Sequence, residues 1–222
     1  MRQVYDRQEL REYLSNREFE SYFSFHAGQY AVLFQFDSGD FIAHEGFAMQ
    51  YLYFMVKGQA KLFLTHSNGK VALIDFFKAP CFVGEMELIG VQSEAYGVQA
   101  ITPCFCLALP IADCKDLLLN DPLFLRKLCL FLGTKSLHNL TKYTKNQAFP
   151  LKNRFATFIL QTSHNFHYTE KHHEAAEYLG VTRRHLLFVL ARFVRDGVLE
   201  KSPAGYRIVD RQYLQALARE LE

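Results

Sequence analysis

The sequence has no run of about 18 apolar residues, the length that a helix needs to cross a bilayer. Its N-terminal stretch MRQVYDRQELREYL is charged and lacks the apolar core of a secretory signal. Cysteine is sparse, and the five residues are odd in number and irregularly spaced, which excludes a disulfide framework. These absences predict a cytoplasmic protein whose thiols stay reduced.

Enzyme motifs are missing too, since the chain has no nucleophile elbow, no P-loop and no His-Glu-x-x-His. Jelly-roll enzymes hold iron or manganese through paired histidines, but His26, His44 and His66 are isolated. The four histidines between His164 and His173 have a spacing that matches no tetrahedral metal site, and we expect them in a turn between two helices. We therefore predict no enzyme activity, no metal and no cofactor.

Charge is nearly balanced along the 222 residues, with a formal net charge of +2. The distribution is more informative. From Pro150 onward there are 11 Lys and Arg against 8 Asp and Glu, while the first 149 residues carry 14 against 15. A modest basic bias thus lies in the C-terminal part, which weakly favours a nucleic-acid partner there.

The middle of the chain indicates short antiparallel strands separated by turn residues. Ser38–Asp40 predicts a turn, and Asn68-Gly69 predicts the tight turn of a hairpin. The run YLYFMVKGQAKLFL predicts a long strand pair interrupted at Lys57-Gly58. Together these signals predict a small antiparallel barrel or jelly roll, preceded between Val4 and Ser24 by one or two short helices.

All five cysteines are predicted to lie in apolar cores. Cys104 and Cys106 are two apart on a predicted strand, so their side chains share one face among apolar neighbours. Cys81, Cys114 and Cys129 receive the same interpretation. A redox pair at Cys104 and Cys106 stays open.

Helices follow from Pro110. Ile111–Leu119 predicts a short helix, and Asp121 before Pro122 fits an N-cap followed by proline at the first helical position. A long helix then runs from Leu123 to about Lys145, within a segment of about residues 121–146, and some 22 helical residues would span roughly 33 Å. Its apolar stripe predicts pairing with a second copy, and packing on its own barrel is the alternative. The stripe includes Leu125, Leu128, Cys129, Leu132, Leu137 and Leu140.

Pro150 predicts a boundary between a first domain, residues 1–149, and a second, residues 150–222. A helix over Leu151–Thr162 leads into HHEAAEYLGVTRRHLLFVLARF, which predicts two helices that meet at Gly180. Thr182 fits the N-cap of the second helix, which buries an i, i+3, i+4, i+7 set: Leu186, Val189, Leu190 and Phe193. A small residue at Ala176, glycine four positions later at Gly180 and an apolar residue at Leu186 fit the pattern of a DNA-binding helix-turn-helix.

Two further features favour DNA binding. Arg183 and Arg184 occupy the first helical turn, where the helix dipole disfavours cations, so helix stability does not explain them. The following RDGVLEKSPAGYRIVD predicts a two-stranded wing. We expect Arg183 and Arg184 to contact bases or phosphates. Thr182 either binds a phosphate or caps the helix, and His185 has the same two alternatives. Phe188 either contacts a thymine methyl group or packs in the core.

The order of these elements resembles the CRP/FNR family of transcription regulators along essentially the whole chain. The resemblance rests on the long helix, the winged helix-turn-helix, the Phe-Val-Gly-Glu at Phe82–Glu85 and spaced glycines at Gly39, Gly46, Gly58, Gly69 and Gly84. It implies an α+β protein with an N-terminal antiparallel β-roll of the cyclic-nucleotide-binding type. It further implies a homodimer on two half-sites of double-stranded DNA about 34 Å apart, with RNA polymerase as a further partner.

The resemblance also assigns a ligand-binding segment in the roll, to which Gly84, Glu85 and Tyr96 belong. Nucleotide-binding members carry an arginine after this segment, whereas Ser93–Gly97 has neither Arg nor Lys. A phosphate without that partner forfeits a charge-assisted bond of about 1.5–3 kcal/mol. We expect that cyclic AMP does not bind. The alternative function is a dimeric ligand-sensing module that acts through protein partners without DNA.

Overall fold

The computed structural model describes residues 1–15, 18–69 and 71–221. They form two compact units, Met1–Thr134 and Lys135–Glu222. The division falls inside one long helix, Pro122–Ala148, and so lies N-terminal to the boundary predicted at Pro150.

The first unit is built on two antiparallel sheets. Its strands are β1 (Arg2–Val4), β2 (Val32–Phe36), β3 (Phe41–Ala43), β4 (Tyr51–Lys57), β5 (Gln59–Thr65), β6 (Val71–Lys78), β7 (Cys81–Val83), β8 (Gly97–Ala100) and β9 (Cys104–Pro110). The five-stranded sheet has the order β1-β2-β9-β4-β7, and the four-stranded sheet has the order β3-β8-β5-β6. The predicted β-roll is confirmed.

Alternation along β2 and β9 divides the core of this unit into two layers. The cross-strand pair Phe34 and Cys106 packs in a cluster shared by the two sheets. The next pair, Leu33 and Leu107, packs on the other side in a cluster shared with the helices. The five-stranded sheet is therefore the middle layer of three.

Two expectations for the strands differ from the structure. The run from Tyr51 to Leu64 does not form a strand pair, because β4 pairs with β7 and β9 while β5 pairs with β6 and β8. Gly58 has φ +111°, and a Cβ there would lie 2.7 Å from the carbonyl oxygen of Pro103. Glycine thus allows the chain to pass from one sheet to the other. Strand β1, which pairs with β2, was not predicted.

Four of the five cysteines are buried, as expected: Cys81, Cys104, Cys106 and Cys114. The expectation for Cys129 is wrong, because its side chain is exposed. The preceding Leu128 is buried, and one helical step of about 100° turns Cys129 towards solvent.

The α-helices that belong at least partly to this unit are α1 (Arg7–Ser15), α2 (Glu85–Leu88), α3 (Ile111–Leu119) and α4 (Pro122–Ala148). The bounds of α3 are those predicted, and α4 is a few residues longer than expected. Asp121 caps α4, since one carboxylate oxygen accepts from the Leu123 N–H (2.9 Å) and the other from the Ser24 N–H (2.7 Å). Burial opposes ionisation of Asp121, but these hydrogen bonds outweigh it and lower its pKa.

Helix α4 changes character along its 27 residues. Phe124 and Leu128 are buried in the roll. Farther along, four large apolar side chains are exposed: Leu130 (61%), Leu137 (67%), Leu140 (59%) and Tyr143 (61%). Among the described residues, neither α4 nor any other helix has the length and apolar character that crossing a membrane demands.

The second unit is a winged helix-turn-helix, as predicted. After the end of α4 it contains α5 (Leu151–Thr162), β10 (His167–Tyr168), α6 (His172–Tyr178), α7 (Arg183–Arg195), β11 (Leu199–Ser202), β12 (Gly205–Ile208) and α8 (Arg211–Arg219). The three strands form a small antiparallel sheet of order β10-β12-β11. The predicted bounds of α5 are confirmed.

Candidate nucleic-acid interface

The turn between α6 and α7 has the local geometry that its sequence predicts. Gly180 adopts φ +65°, a left-handed conformation that glycine enters without a Cβ penalty. Thr182 is extended and caps α7, with its Oγ1 accepting from the His185 N–H at 3.2 Å. These two residues fix where the second helix begins and which side chains its first turn presents.

Helix α7 buries one face and exposes the other. Its buried residues are those predicted: Leu186, Val189, Leu190 and Phe193. The predicted DNA-binding side chains all lie on the exposed face: Thr182, Arg183, Arg184, His185 and Phe188. Phe188 is 68% exposed, which excludes the core packing that was one of its two predicted roles.

The arginines of α7 fall into two groups. Arg192 and Arg195, in the last turn, pair with Asp196 at 3.7 and 3.0 Å. Arg183 and Arg184, in the first turn, form no ion pair or side-chain hydrogen bond with any residue that the structure describes. Two unpaired guanidinium groups at a helix N-terminus are suited to an anionic partner from outside the chain.

The wing is a tight hairpin beside this helix start. Strands β11 and β12 pair from Leu199 with Ile208 to Ser202 with Gly205. On its surface, the Arg207 guanidinium pairs with the Glu200 carboxylate, whereas Lys201 is exposed.

A surface cavity of about 650 Å³ lies where the wing meets the first residues of α6 and α7. Its lining includes Arg183 from α7, His172 from α6, and Lys201 and Tyr206 from the wing. Sequence reasoning identified Arg183 but missed the other three, because three segments far apart in the chain build the cavity. No local spacing connects them.

The segment predicted to hold a ligand lies in the roll. Gly84 has φ +96°, and a Cβ there would lie 3.0 Å from the Tyr51 carbonyl oxygen. Glu85 is 3% exposed, whereas Tyr96 is 37% exposed. The structure thus buries Gly84's neighbour Glu85 and leaves Tyr96 near the surface.

Two residues of the segment that lacks the family arginine are buried, Ala95 and Gly97. Ala95 is 3% exposed and belongs to the core cluster between the sheets. The Phe63 ring covers Gly97, where a Cβ would come within 2.1 Å of a ring atom. A second buried carboxylate, Asp75, lies in the same roll and is 6% exposed.

The histidines in the second unit are spread over two elements. His164 and His167 pair across a two-residue turn, whereas His172 and His173 begin α6, so the expectation that all four lie in a turn is wrong. Within the part of the chain that the structure describes, no group of three or more His, Cys, Asp or Glu is placed to hold a metal ion.

Comparison with known proteins decides the family. Residues 33–121 match the cyclic nucleotide-binding domain, and residues 153–217 match the Crp-like helix-turn-helix domain. The regulatory protein YeiL of Escherichia coli O157:H7 is 52% identical over 190 residues, which span 86% of this chain and 87% of that protein. The chain belongs to the CRP/FNR family of transcription regulators.

More distant members share the fold. A CRP/FNR-family transcriptional regulator from Thermus thermophilus superposes with a TM-score of 0.66 at 23% identity, covering 84% of this chain and 98% of that one. The cyclic AMP receptor protein of the same organism is 23% identical over 82% of this chain and 86% of its own length. Membership in the CRP/FNR family makes this chain a transcription regulator with a DNA-binding helix-turn-helix, and not an enzyme.

Proposed function

We propose that this CRP/FNR regulator acts as a homodimer that places the start of each α7 in successive major grooves of a two-fold symmetric DNA site. One observation carries the proposal. Arg183 and Arg184 stand exposed in the first turn of α7 without an ion pair among the described residues. Arginine to guanine is the commonest specific contact in the major groove.

The other exposed residues of α7 have distinct roles in this proposal. The Thr182 side-chain oxygen caps the helix by accepting from the His185 N–H, and this cap positions the arginines. His185, one position after them, contacts phosphate or base. Phe188 is one helical turn farther along, where an exposed ring suits the methyl group of thymine.

The second copy pairs through α4. Leu130 and Leu137 are seven residues apart, and Leu140 follows after three more, which places them along one side of the helix. All three are more than half exposed in the chain. Because exposed leucines at this spacing are typical of a helix pair, we infer that a second copy of α4 covers them.

The roll is the sensory part, and its effector is not a cyclic nucleotide. The phosphate of such a ligand needs a cation, but Ala95 and its neighbours supply none. Glu85 and Asp75, two buried side chains of the roll, are carboxylates and supply no cation either. In this proposal residues 1–149 are the sensor and residues 150–222 read the DNA. The proposal also includes RNA polymerase as a partner and the cytoplasm as the location.

Selection of DNA from a random-sequence library by the full-length protein tests this function. We expect an inverted repeat to be enriched, and we expect cyclic AMP to change neither its affinity nor the melting temperature of the protein. The Thermus thermophilus cyclic AMP receptor protein is the comparison for the ligand arm. If no sequence is enriched above the electrostatic background, the alternative of a module acting through protein partners replaces DNA binding.

A further inference from the structure

The cavity beside the start of α7 is lined by several cationic side chains. Arg183, Lys171 and Lys201 line it together with His172 and His173. Glu170 is the acidic residue in this lining. The buried carboxylate of Glu174 lies 3.3 Å from Lys171 Nζ, so it offsets part of the charge on Lys171, and it lies 3.9 Å from His173 Nε2.

Two buried hydroxyl groups at this cavity lack hydrogen-bond partners. The Tyr168 side chain is 1% exposed, and its hydroxyl has no partner among the described residues. The same holds for the Ser202 hydroxyl, and both residues line the cavity. Buried polar groups are almost always hydrogen-bonded, so these two hydroxyl groups are available to a water or ligand that reaches them.

His172 lines the same cavity. Its ring lies 5.9 Å from the Tyr206 ring, and the side chain is half-buried. Burial, and then the positive charge of Arg183, lower its pKa below the usual range. In the protein without DNA the ring is therefore neutral at neutral pH.

We propose that the cavity receives a phosphate of the DNA backbone, and that His172 takes up a proton from solvent when the phosphate enters. This inference rests on the proposed function, since it needs a duplex against α7. An anion at the cavity offsets the charge of Arg183 and favours imidazolium. The pKa of His172 is then higher in the complex than in free protein, so DNA affinity increases as the pH falls between the two values.

The charged groups around His172 set the size of this effect. Arg183 opposes protonation of His172 until the phosphate arrives. The titratable and charged groups at the cavity come from three segments. Glu170, Lys171, His173 and Glu174 lie before and within α6, Arg183 lies in α7, and Lys201 and Tyr206 lie in the wing.

The test measures the dissociation constant of the full-length protein for its selected duplex from about pH 5.5 to about pH 8.5 at constant ionic strength. Wild-type affinity should rise by up to about tenfold for each unit by which the pH falls, for each proton taken up. His172→Gln should lower this slope by up to about two protons per dimer, one for each copy of the cavity, so that the difference from wild type widens as the pH falls. His66→Gln, an exposed histidine of the roll, is the matched control and should keep the wild-type slope.

A second measurement does not depend on how the variant folds. The ring proton of His172 in the wild-type protein is titrated by NMR without DNA, with the duplex, and with inorganic phosphate alone. The duplex should raise the pKa of His172. If inorganic phosphate raises it equally, the cavity is a site for small phosphates and the DNA assignment is overturned.

The phosphate contact has its own readout in the salt dependence of binding. Lys201→Ala should reduce the slope of log affinity against log salt by about 0.9 for each copy, or about 1.8 for the dimer, whereas Lys78→Ala in the roll should not. An unchanged pH slope in His172→Gln, with the duplex still bound specifically, overturns this inference and leaves the proposed function standing. If no duplex is selected at all, the proposed function fails first.

Discussion

The Arg154 guanidinium donates a hydrogen bond to the carbonyl oxygen of Leu179, the residue before the turn glycine of the helix-turn-helix. The same group donates to the Phe149 carbonyl oxygen at 3.0 Å and to Oδ1 of Asn146 at 3.2 Å. One side chain on α5 therefore ties the end of α4 to the turn that positions α7. Burial lowers the pKa of Arg154, and the three acceptors offset the cost of that burial.

Replacing this side chain should destabilise the second unit. Arg154→Ala leaves the Leu179 and Phe149 carbonyl oxygens without their donor, so we expect a loss of about 1–3 kcal/mol in the free energy of unfolding. Urea denaturation measures it. Arg195→Ala is the control, because that arginine is exposed and pairs only with exposed Asp196, and should change stability by less than about 0.5 kcal/mol. Equal losses in both variants would contradict the role of Arg154.

Arg183→Ala should relax base preference and leave the dimer intact. Loss of a bidentate arginine contact costs about 1–3 kcal/mol of discrimination between the right and wrong base. Competition between the selected duplex and variants changed at single positions measures this. Arg192→Ala removes an arginine from the same helix that already pairs with Asp196, and should keep the wild-type preference. Unchanged discrimination in Arg183→Ala refutes the assigned contact.

Leu137→Glu should separate the dimer. The substitution places a charge in the stripe that a second α4 covers in the proposed assembly, and burial of an unpaired carboxylate is costly. Sedimentation velocity should then show a monomer and DNA affinity should fall. Asn139→Glu adds the same charge two residues away, on the other side of α4, and should stay dimeric. A dimer in both variants argues for another interface.

The two free cysteines on β9, Cys104 and Cys106, should be unreactive in the folded protein. Burial raises the pKa of Cys104 to about 11, and burial raises that of Cys106 as well. Both thiols therefore stay protonated up to well above neutral pH, and only the thiolate is nucleophilic. In a Cys129→Ser variant, which lacks the exposed thiol, mass spectrometry after iodoacetamide treatment should find no modified cysteine until denaturant is added. Modification of Cys104 in the native protein at neutral pH would show that its environment is open.

The parts of the fold that the sequence predicted are those written in local patterns. Gly180 and Thr182 mark a turn and a cap by their own chemistry, and the period of Leu186 to Phe193 defines the buried face of α7 without reference to any other segment. The bounds of α3 and α5 followed for the same reason. Each of these features depends on residues within about two helical turns of one another.

The features that were missed depend on distant pairing. Strand β1 exists because Gln3 pairs with Phe34, 31 positions away, and nothing in its charged sequence indicates a strand. The passage between sheets at Gly58 depends on Pro103, which only the assembled roll brings close. The cavity at His172 depends likewise on the wing. At Cys129 the sequence pattern allowed several apolar faces, and contact with the roll selected the face of Leu128 instead.

Methylation protection of guanine N7 on the selected duplex tests whether each copy of α7 lies in a major groove, because it reports which major grooves the protein fills. The account predicts two protected patches related by a dyad and centred about 10–10.5 base pairs apart, one for each copy of α7. Loss of one guanine contact in each patch with Arg183→Ala would assign the contact to that side chain. A single protected patch, or no protection of guanine N7 on a duplex that the protein still binds, would contradict the paired placement of α7.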